Sequence, residues 1–221
     1  MKRRTLVAVT AVIAVLVFAF AAYLYNRSVE EQAAAALRAA TLERPHSPVF
    51  GPERAAVTIV EFFDPSCGTC RAFHPIVKEI RQRYPDTVRV VLRYVAFHKG
   101  SDQVIHILEA ARRQGMLEPV LESVLAAQPE WSAHGGRAPN IAKAWLAAAS
   151  TGIDVARARR DMTSPDITGI LNQDMADAAA VGADKTPTFF VNGRPLPSFG
   201  VEQLLSLVDE EVAIARKSSG S

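Results

Sequence analysis

Two cysteines give the sequence its clearest chemical signal. They are the only cysteines among the 221 residues, and they lie three positions apart as Cys67-Gly68-Thr69-Cys70. A disulfide across so short a loop would restrict the unfolded chain very little, which disfavours a purely stabilising bridge. A structural zinc site needs further Cys or His ligands, and the five histidines are scattered along the chain. Thiol–disulfide chemistry is the leading interpretation, and two inert, buried sulfurs are the alternative.

The elements around the cysteines predict how the sulfurs are presented. Residues 57–63 form a β-branched and aromatic run typical of a buried strand, and residues 67–84 have helical spacing. Cys67 therefore begins a helix, where free backbone N–H groups and the helix dipole favour a thiolate. That position also argues against burial of Cys67. Cys70 lies about one turn further on the same helix face, so it can close a disulfide with Cys67 or resolve a mixed one.

The rest of the chain predicts a mixed α/β fold. A second strand is expected at 88–97, and its crossover from the first strand implies parallel pairing. The Asn192-Gly193 turn indicates an antiparallel hairpin, followed by a last helix at 201–215. The hairpin strands are expected at 188–191 and 196–199, and separate helices at 102–114, 117–127, 138–150, 154–161 and 167–180. The pattern thus predicts a mixed sheet flanked by helices, with helical material inserted in the middle.

The N-terminus resembles a membrane anchor. Basic residues at positions 2–4 precede an apolar run of about 20 residues, enough to cross a hydrocarbon core of about 30 Å. The basic start favours a cytoplasmic N-terminus and an exported remainder. A cleaved signal peptide is the alternative, since Ala19-Phe20-Ala21 fits a cleavage site, although its apolar core is usually shorter. Both interpretations place the rest of the chain outside the cytoplasm.

These signals divide the chain as follows. We expect a cytoplasmic tail at 1–4, a transmembrane anchor or uncleaved signal at 5–25, a helical stalk or linker at 26–46, a first part of the α/β domain at 47–100, a helical insertion at 101–181, a second part at 182–216 and a disordered tail at 217–221. The hydrophobic content of 49% suffices for a core, and the net charge of +2 without a basic block predicts no nucleic-acid partner.

Two segments together resemble a known family. The segments 61–70, reading EFFDPSCGTC, and 186–193, reading TPTFFVNG, are similar to the DsbA-like branch of the thioredoxin superfamily over roughly residues 49–215. The resemblance implies a thioredoxin fold with an inserted helical domain. It also implies a thiol–disulfide oxidoreductase that acts on cysteines of extracytoplasmic proteins and is recycled by a membrane redox partner. No cofactor or metal is expected, because the two sulfurs carry the electrons.

The resemblance also assigns roles to residues. Cys67 is implied to be the nucleophile and Cys70 the buried resolving cysteine, with Ser66, Gly68 and Thr69 completing the active-site turn. Pro187 is implied to be the family's cis-proline, and Thr186 the backbone that pairs with a substrate segment. Glu61 matches a buried acid that exchanges a proton with Cys70; the alternative is that it faces solvent at a strand end. Arg93 is a candidate ion-pair partner for Glu61. His74 lies about two turns beyond Cys67, and we expect it to be a packing or surface residue.

The sequence departs from the best-known DsbA oxidases at one position. Thr69 stands immediately before the second cysteine, where those oxidases carry histidine, and Gly68-Thr69 offers few groups that could stabilise a thiolate. Thr186 is also shared more with isomerase and reductase branches, so the disulfide is expected to be less oxidising. A disulfide-forming oxidase in the periplasm, tethered to a bacterial inner membrane, is the first functional hypothesis. The alternatives are an isomerase or reductase with few partners, a Cu(I)-binding thiol carrier, and a membrane-tethered scaffold.

Overall fold

The computed structural model describes residues 13, 16–29, 39–133 and 137–219. The chain divides into two units, one ending at Ala40 and the other running from Thr41 to Ser221. In the first unit, residues 16–29 are helical and their side chains are exposed. No helix within the described residues is long and apolar enough to span a membrane. Residues 5–12 and 14–15 of the predicted anchor and residues 30–38 of the predicted stalk lie outside the described residues.

The second unit is built on a mixed sheet, which within the described residues has five strands in the order β1-β3-β2-β4-β5. The strands are β1 (Val49–Phe50), β2 (Val57–Phe63), β3 (Val88–Tyr94), β4 (Thr188–Val191) and β5 (Arg194–Pro195). β2 and β3 are parallel, as the crossover predicted, whereas β1–β3, β2–β4 and β4–β5 are antiparallel. β2 lies in the interior of the sheet and all seven of its residues are buried.

Helices cover both faces of this sheet. They are α1 (Gly68–Arg83), α2 (Ser101–Arg112), α3 (Leu117–Ala126), α4 (Gln128–Trp131), α5 (Ile141–Ala149), α6 (Val155–Asp161), α7 (Pro165–Val181) and α8 (Val201–Ser219). One face of β2 packs against α1 and α8 through Ile59, and the other packs against α7 through Phe62. Helices α2 to α6 build a further core around Trp131, next to Phe63 and both cysteines. The fold is the predicted thioredoxin-like α/β arrangement with helices between β3 and β4.

Some predicted boundaries were wrong, for local reasons. β3 ends at Tyr94 because the backbone N–H groups of Phe97 and His98 bind the Asp64 carboxylate instead of a strand. The second hairpin strand is Arg194–Pro195 rather than 196–199, since a two-residue turn pairs Val191 directly with Arg194. An unpredicted short helix, α4, follows the helix that ends at Ala126, and Pro129 lies in its first turn, where a missing N–H is tolerated. α8 continues through Ser219, into the predicted disordered tail.

A buried ion-pair network fastens the end of the predicted stalk to the domain. Arg93 is fully buried and contacts Asp174 and Asp177 of α7 at 2.7 and 2.5 Å. Arg44 and His46, which precede β1, bind the same two carboxylates. The expected pairing of Arg93 with Glu61 is therefore wrong. Arg93 lies opposite Phe62 in the β2–β3 register, so it projects from the other face of the sheet.

Candidate active site

The site begins where the chain leaves β2 and enters α1. Cys67 is the N-cap residue of α1, and its sulfur accepts a hydrogen bond from the backbone N–H of Cys70 at 3.4 Å. Its own N–H donates to the Asp64 carbonyl at 3.0 Å, which closes the turn. Gly68 and Thr69 are exposed at the surface of this turn, whereas Ser66 is buried. The predicted strand–turn–helix arrangement around the cysteine pair is thus present.

Cys67 is more covered than the sequence indicated. Its exposed fraction is 6%, so the expectation that a helix-start position keeps it out of the interior is wrong. The cover comes from the loop before β4: the Cys67 sulfur lies 3.2 Å from the Thr186 carbonyl oxygen. The following Thr186–Pro187 peptide bond is cis, as expected. Thr186 therefore lies directly against the Cys67 sulfur, and Pro187 is the next residue along the chain.

Hydrogen bonds around Cys67 favour its thiolate. The Cys70 side chain makes the largest contribution, backbone N–H groups of Cys70 and Thr69 add to it, and together they lower the pKa of Cys67 to about 5 against the opposing effect of burial. A lowered pKa supplies the attacking species, thiolate, at neutral pH. The expectation that Gly68-Thr69 leaves few stabilising groups overlooked the Cys70 thiol as a donor.

Cys70 and Glu61 lie behind Cys67, and their pKa values are raised, whereas that of Cys67 is lowered. Cys70 is fully buried, and burial is the main reason that its pKa is raised far above the usual range of a thiol. Glu61 is 3% exposed, so the alternative of a solvent-facing strand end is wrong. Burial, reinforced by the negative charge of Cys67, raises the pKa of Glu61 to about 8. One sulfur is thus an anion at neutral pH, while its partner and the nearby acid hold protons.

Asp64 holds the active-site turn to the loop that follows β3. This carboxylate is completely buried. It accepts hydrogen bonds from the backbone N–H groups of Ser66 (2.8 Å), Phe97 (2.8 Å) and His98 (3.0 Å). The His98 ring and the Ser101 hydroxyl also bind it. An acidic residue directly before a proline favours a turn, but no sequence pattern indicates partners more than 30 positions away.

Gln128 connects the helical insertion to the same turn. Its side-chain amide is buried and donates to the carbonyl oxygens of Pro65 at 2.7 Å and of Cys67 at 2.9 Å. Its own amide oxygen accepts a hydrogen bond from the Arg71 guanidinium at 3.0 Å. No sequence pattern indicates this contact, because Gln128 lies 57, 61 and 63 positions from its three partners and a single glutamine in a helix is not distinctive.

Comparison with known proteins identifies the family. The sequence profile described as thioredoxin matches residues 43–210. The chain belongs to the thioredoxin family. A thioredoxin-like oxidoreductase from Silicibacter pomeroyi DSS-3 is 31% identical, with a TM-score of 0.66, and the match covers 80% of this chain and 96% of that one. The predicted membership of the thioredoxin-like thiol–disulfide oxidoreductases is confirmed.

Two further likenesses concern the fold and the wider chain context. The structure of Wolbachia pipientis α-DsbA1 has a TM-score of 0.67 at 14% identity, covering 82% of this chain and 98% of that one, which shows a shared DsbA-like fold. The Na(+)/H(+) antiporter NhaA of Herminiimonas arsenicoxydans is 35% identical over 159 residues, or 70% of this chain. The chain spans about a quarter of the length of that antiporter and of the similar NhaA relatives.

Proposed function

We propose that the chain is an extracytoplasmic protein-disulfide oxidase that works through Cys67 and Cys70. A substrate thiolate attacks the Cys67 sulfur of the oxidised pair, and a mixed disulfide forms as the Cys67–Cys70 bond breaks. A second substrate thiolate then attacks the substrate sulfur of this mixed disulfide, and Cys67 leaves as a thiolate. Two electrons pass from the substrate pair to Cys67 and Cys70, so the substrate is oxidised and the protein is reduced. No bound cofactor is required.

Glu61 supplies the proton that Cys70 needs. When the Cys67–Cys70 bond breaks, Cys70 departs as a buried thiolate, and burial strongly disfavours that charge. Glu61 is buried nearby with its pKa raised to about 8, so it is protonated at neutral pH and can neutralise the thiolate. In this proposal Thr186 pairs through its backbone with an extended substrate segment, and the cis peptide bond to Pro187 presents it beside the Cys67 sulfur.

The oxidising direction is supported by the position of Cys67 at the start of α1, where its sulfur accepts a hydrogen bond from the backbone N–H of Cys70 at 3.4 Å and its pKa is lowered. A thiolate that is stable at neutral pH belongs to the reduced form alone, so its stabilisation favours the reduced protein and makes the disulfide a better oxidant. A disulfide donor must be reoxidised, so the proposal includes a membrane redox partner. The basic and apolar N-terminus supports a single-pass inner-membrane anchor with the catalytic unit in the periplasm.

Substrate trapping tests the exchange chemistry. In the Cys70→Ala variant the Cys67 thiolate can attack a disulfide of an extracytoplasmic protein and expel one of its thiolates, but no Cys70 is present to release Cys67 from the resulting mixed disulfide. Extracytoplasmic proteins should therefore remain bonded to Cys67 and be released by reductant. The Cys67→Ala variant is the matched control and should trap nothing. Equal recovery from both variants would contradict exchange through Cys67.

The reduction potential tests the direction. Equilibration with glutathione buffers should give a value towards about −120 mV, the range of DsbA. A value near about −270 mV, the range of thioredoxin, would replace the oxidase with a reductase or isomerase and leave the exchange chemistry intact.

A further inference from the structure

A small cavity lies between α1, α3 and the sheet, behind the cysteine pair. Its volume is about 30 Å³, which is enough to hold a water molecule. Val77, Leu92 and Leu121 give it apolar walls. Five titratable side chains also line it: Glu61, His74, Lys78, Arg81 and Glu118. The carboxyl group already proposed for proton exchange with Cys70 thus shares a partly open cavity with an imidazole that the cysteine chemistry has not used.

The His74 ring has a buried nitrogen that calls for a partner in this cavity. Its Nε2 atom is inaccessible to solvent and has no hydrogen-bond partner among the described residues. Burying such a group without a hydrogen-bond partner is unfavourable. Glu61 and His74 both line this cavity, and the cavity can hold a water molecule, so a water is the candidate link between the imidazole and the carboxyl group.

His74 also reaches towards the protein surface. The residue is only partly buried, and the nearby charges come from two helices: Lys78 and Arg81 on α1, and Glu118 and Glu122 on α3. These form two partly exposed ion pairs, Lys78–Glu122 and Arg81–Glu118. Burial is the main cause that lowers the pKa of His74, so its ring is neutral at neutral pH and can accept a proton at one nitrogen while it releases one from the other.

We propose that His74 carries protons between Glu61 and solvent through a water molecule in this cavity. The inference rests on the proposed proton exchange between Glu61 and Cys70 and adds the route by which that proton enters and leaves. When Glu61 has given its proton to Cys70, the water protonates the Glu61 carboxylate and takes a proton from His74 Nε2. The ring regains one from solvent at its other nitrogen. No electrons move in this step, and the reverse sequence serves the oxidation of the cysteine pair.

Two single-turnover steps with oxidised glutathione distinguish a proton-transfer role of His74 from a structural or an electrostatic one. In the first step the Cys67 thiolate attacks glutathione disulfide and releases one glutathione thiolate, with no proton from Cys70. In the second step Cys70 attacks the mixed disulfide, its proton passes to Glu61, and the second glutathione thiolate leaves. Acid quenching followed by intact-mass measurement gives both rate constants. His74→Gln keeps a polar side chain that cannot titrate, and His74→Leu seals the cavity with an apolar group.

The expected result is selective. Both His74 variants should slow the second step by roughly a hundredfold, the lower end of what proton-transfer groups contribute. The first step and the pH midpoint of the second step should stay at their wild-type values. His106→Gln is the matched control, because His106 is a helix histidine bonded to Asp102 and Thr168 and does not line the cavity; it should leave both steps unchanged.

Three outcomes would overturn the relay. The first is an unaltered second step in His74→Gln, and the second is equal slowing of both steps, which would indicate a structural defect. The third is a shifted pH midpoint at an unchanged maximal rate, which would mean that His74 acts only through its electrostatic effect on Glu61. Failure of the wild-type protein to react with glutathione disulfide would instead refute the proposed exchange function itself.

Discussion

The thiolate of Cys67 should depend on the side chain of Cys70. The hydrogen bond from the Cys70 side chain is the largest contribution that lowers the pKa of Cys67 to about 5. Cys70→Ala removes this donor without adding a group, and the backbone N–H of residue 70 stays at the start of α1. Cys70→Ser keeps a hydroxyl donor at the same place and is the matched control.

The size of the effect follows from the strength of the hydrogen bond. A hydrogen bond to a charged group contributes about 1.5–3 kcal/mol, and each pKa unit corresponds to about 1.4 kcal/mol. Cys70→Ala should therefore raise the pKa of Cys67 by about 1–2 units, to roughly 6–7. At pH 6 the thiolate fraction would fall from about nine tenths to between about a tenth and a half.

Two readouts follow this change. The ultraviolet absorbance of the thiolate, titrated against pH, gives the pKa of Cys67 directly in both variants, since each contains a single cysteine. The rate of alkylation by iodoacetamide against pH should show the same midpoint. Cys70→Ser should titrate closer to pH 5 than Cys70→Ala does. An unchanged midpoint in Cys70→Ala would refute the reasoning and assign the thiolate to the helix N-terminus alone.

Three further predictions follow from the same residues. Glu61→Gln should stabilise the protein by up to about 3 kcal/mol at pH 7, because a carboxyl group whose pKa is raised to about 8 costs stability as the pH rises from about 4.5 through 8. In urea unfolding at pH 4, the variant and the wild-type protein should have nearly the same free energy of unfolding. Between pH 7 and pH 4 the reduced protein should lose about 1–2 kcal/mol more unfolding free energy than the oxidised protein. The reason is that the depressed pKa of Cys67 contributes stability that disappears as the pH falls through 5. Urea unfolding of both redox forms measures the losses, and equal losses would contradict the prediction. Gln128→Met removes two hydrogen bonds to buried carbonyls and should therefore destabilise the protein by about 2 kcal/mol. Thermal unfolding measures this loss, and a melting temperature equal to that of the wild-type protein would contradict the prediction.

Local signals predicted the cysteine-bearing part of the site. The valine-rich run of β2, the turn after it and the apolar stripe of α1 each depend on neighbours in sequence, and the structure has all three where they were expected. The Asn192-Gly193 turn was predictable for the same reason, and both residues have positive φ, of 48° and 78°. The start of the last strand was predicted two residues too late, at 196 instead of 194, because the pairing register depends on how tight the turn is.

Contacts between distant segments could not be predicted from the pattern. Asp64 precedes its partners Phe97 and His98 by more than 30 positions, and the hydrogen bonds that it accepts decide where β3 ends. The burial of Cys67 similarly depends on the loop at Thr186, 119 positions away. Composition and periodicity report on which face of an element is apolar, but they do not tell which loop will cover a residue at the end of a strand.

Two buried acids show that the role of a single charged residue in an apolar helix or strand can be interpreted only when its neighbours are known. Asp177 faces Arg44 and Arg93, whose hydrogen bonds outweigh the effect of burial and lower its pKa to about 2, so it stays ionised and serves structure. Glu61 projects from the opposite face of the sheet into a cavity shared with His74, and burial raises its pKa to about 8. A carboxylate between fixed cations cannot exchange protons near neutral pH, whereas one beside a water-sized space can. The acid that burial leaves titratable near neutral pH is therefore the one that we propose for proton exchange with Cys70.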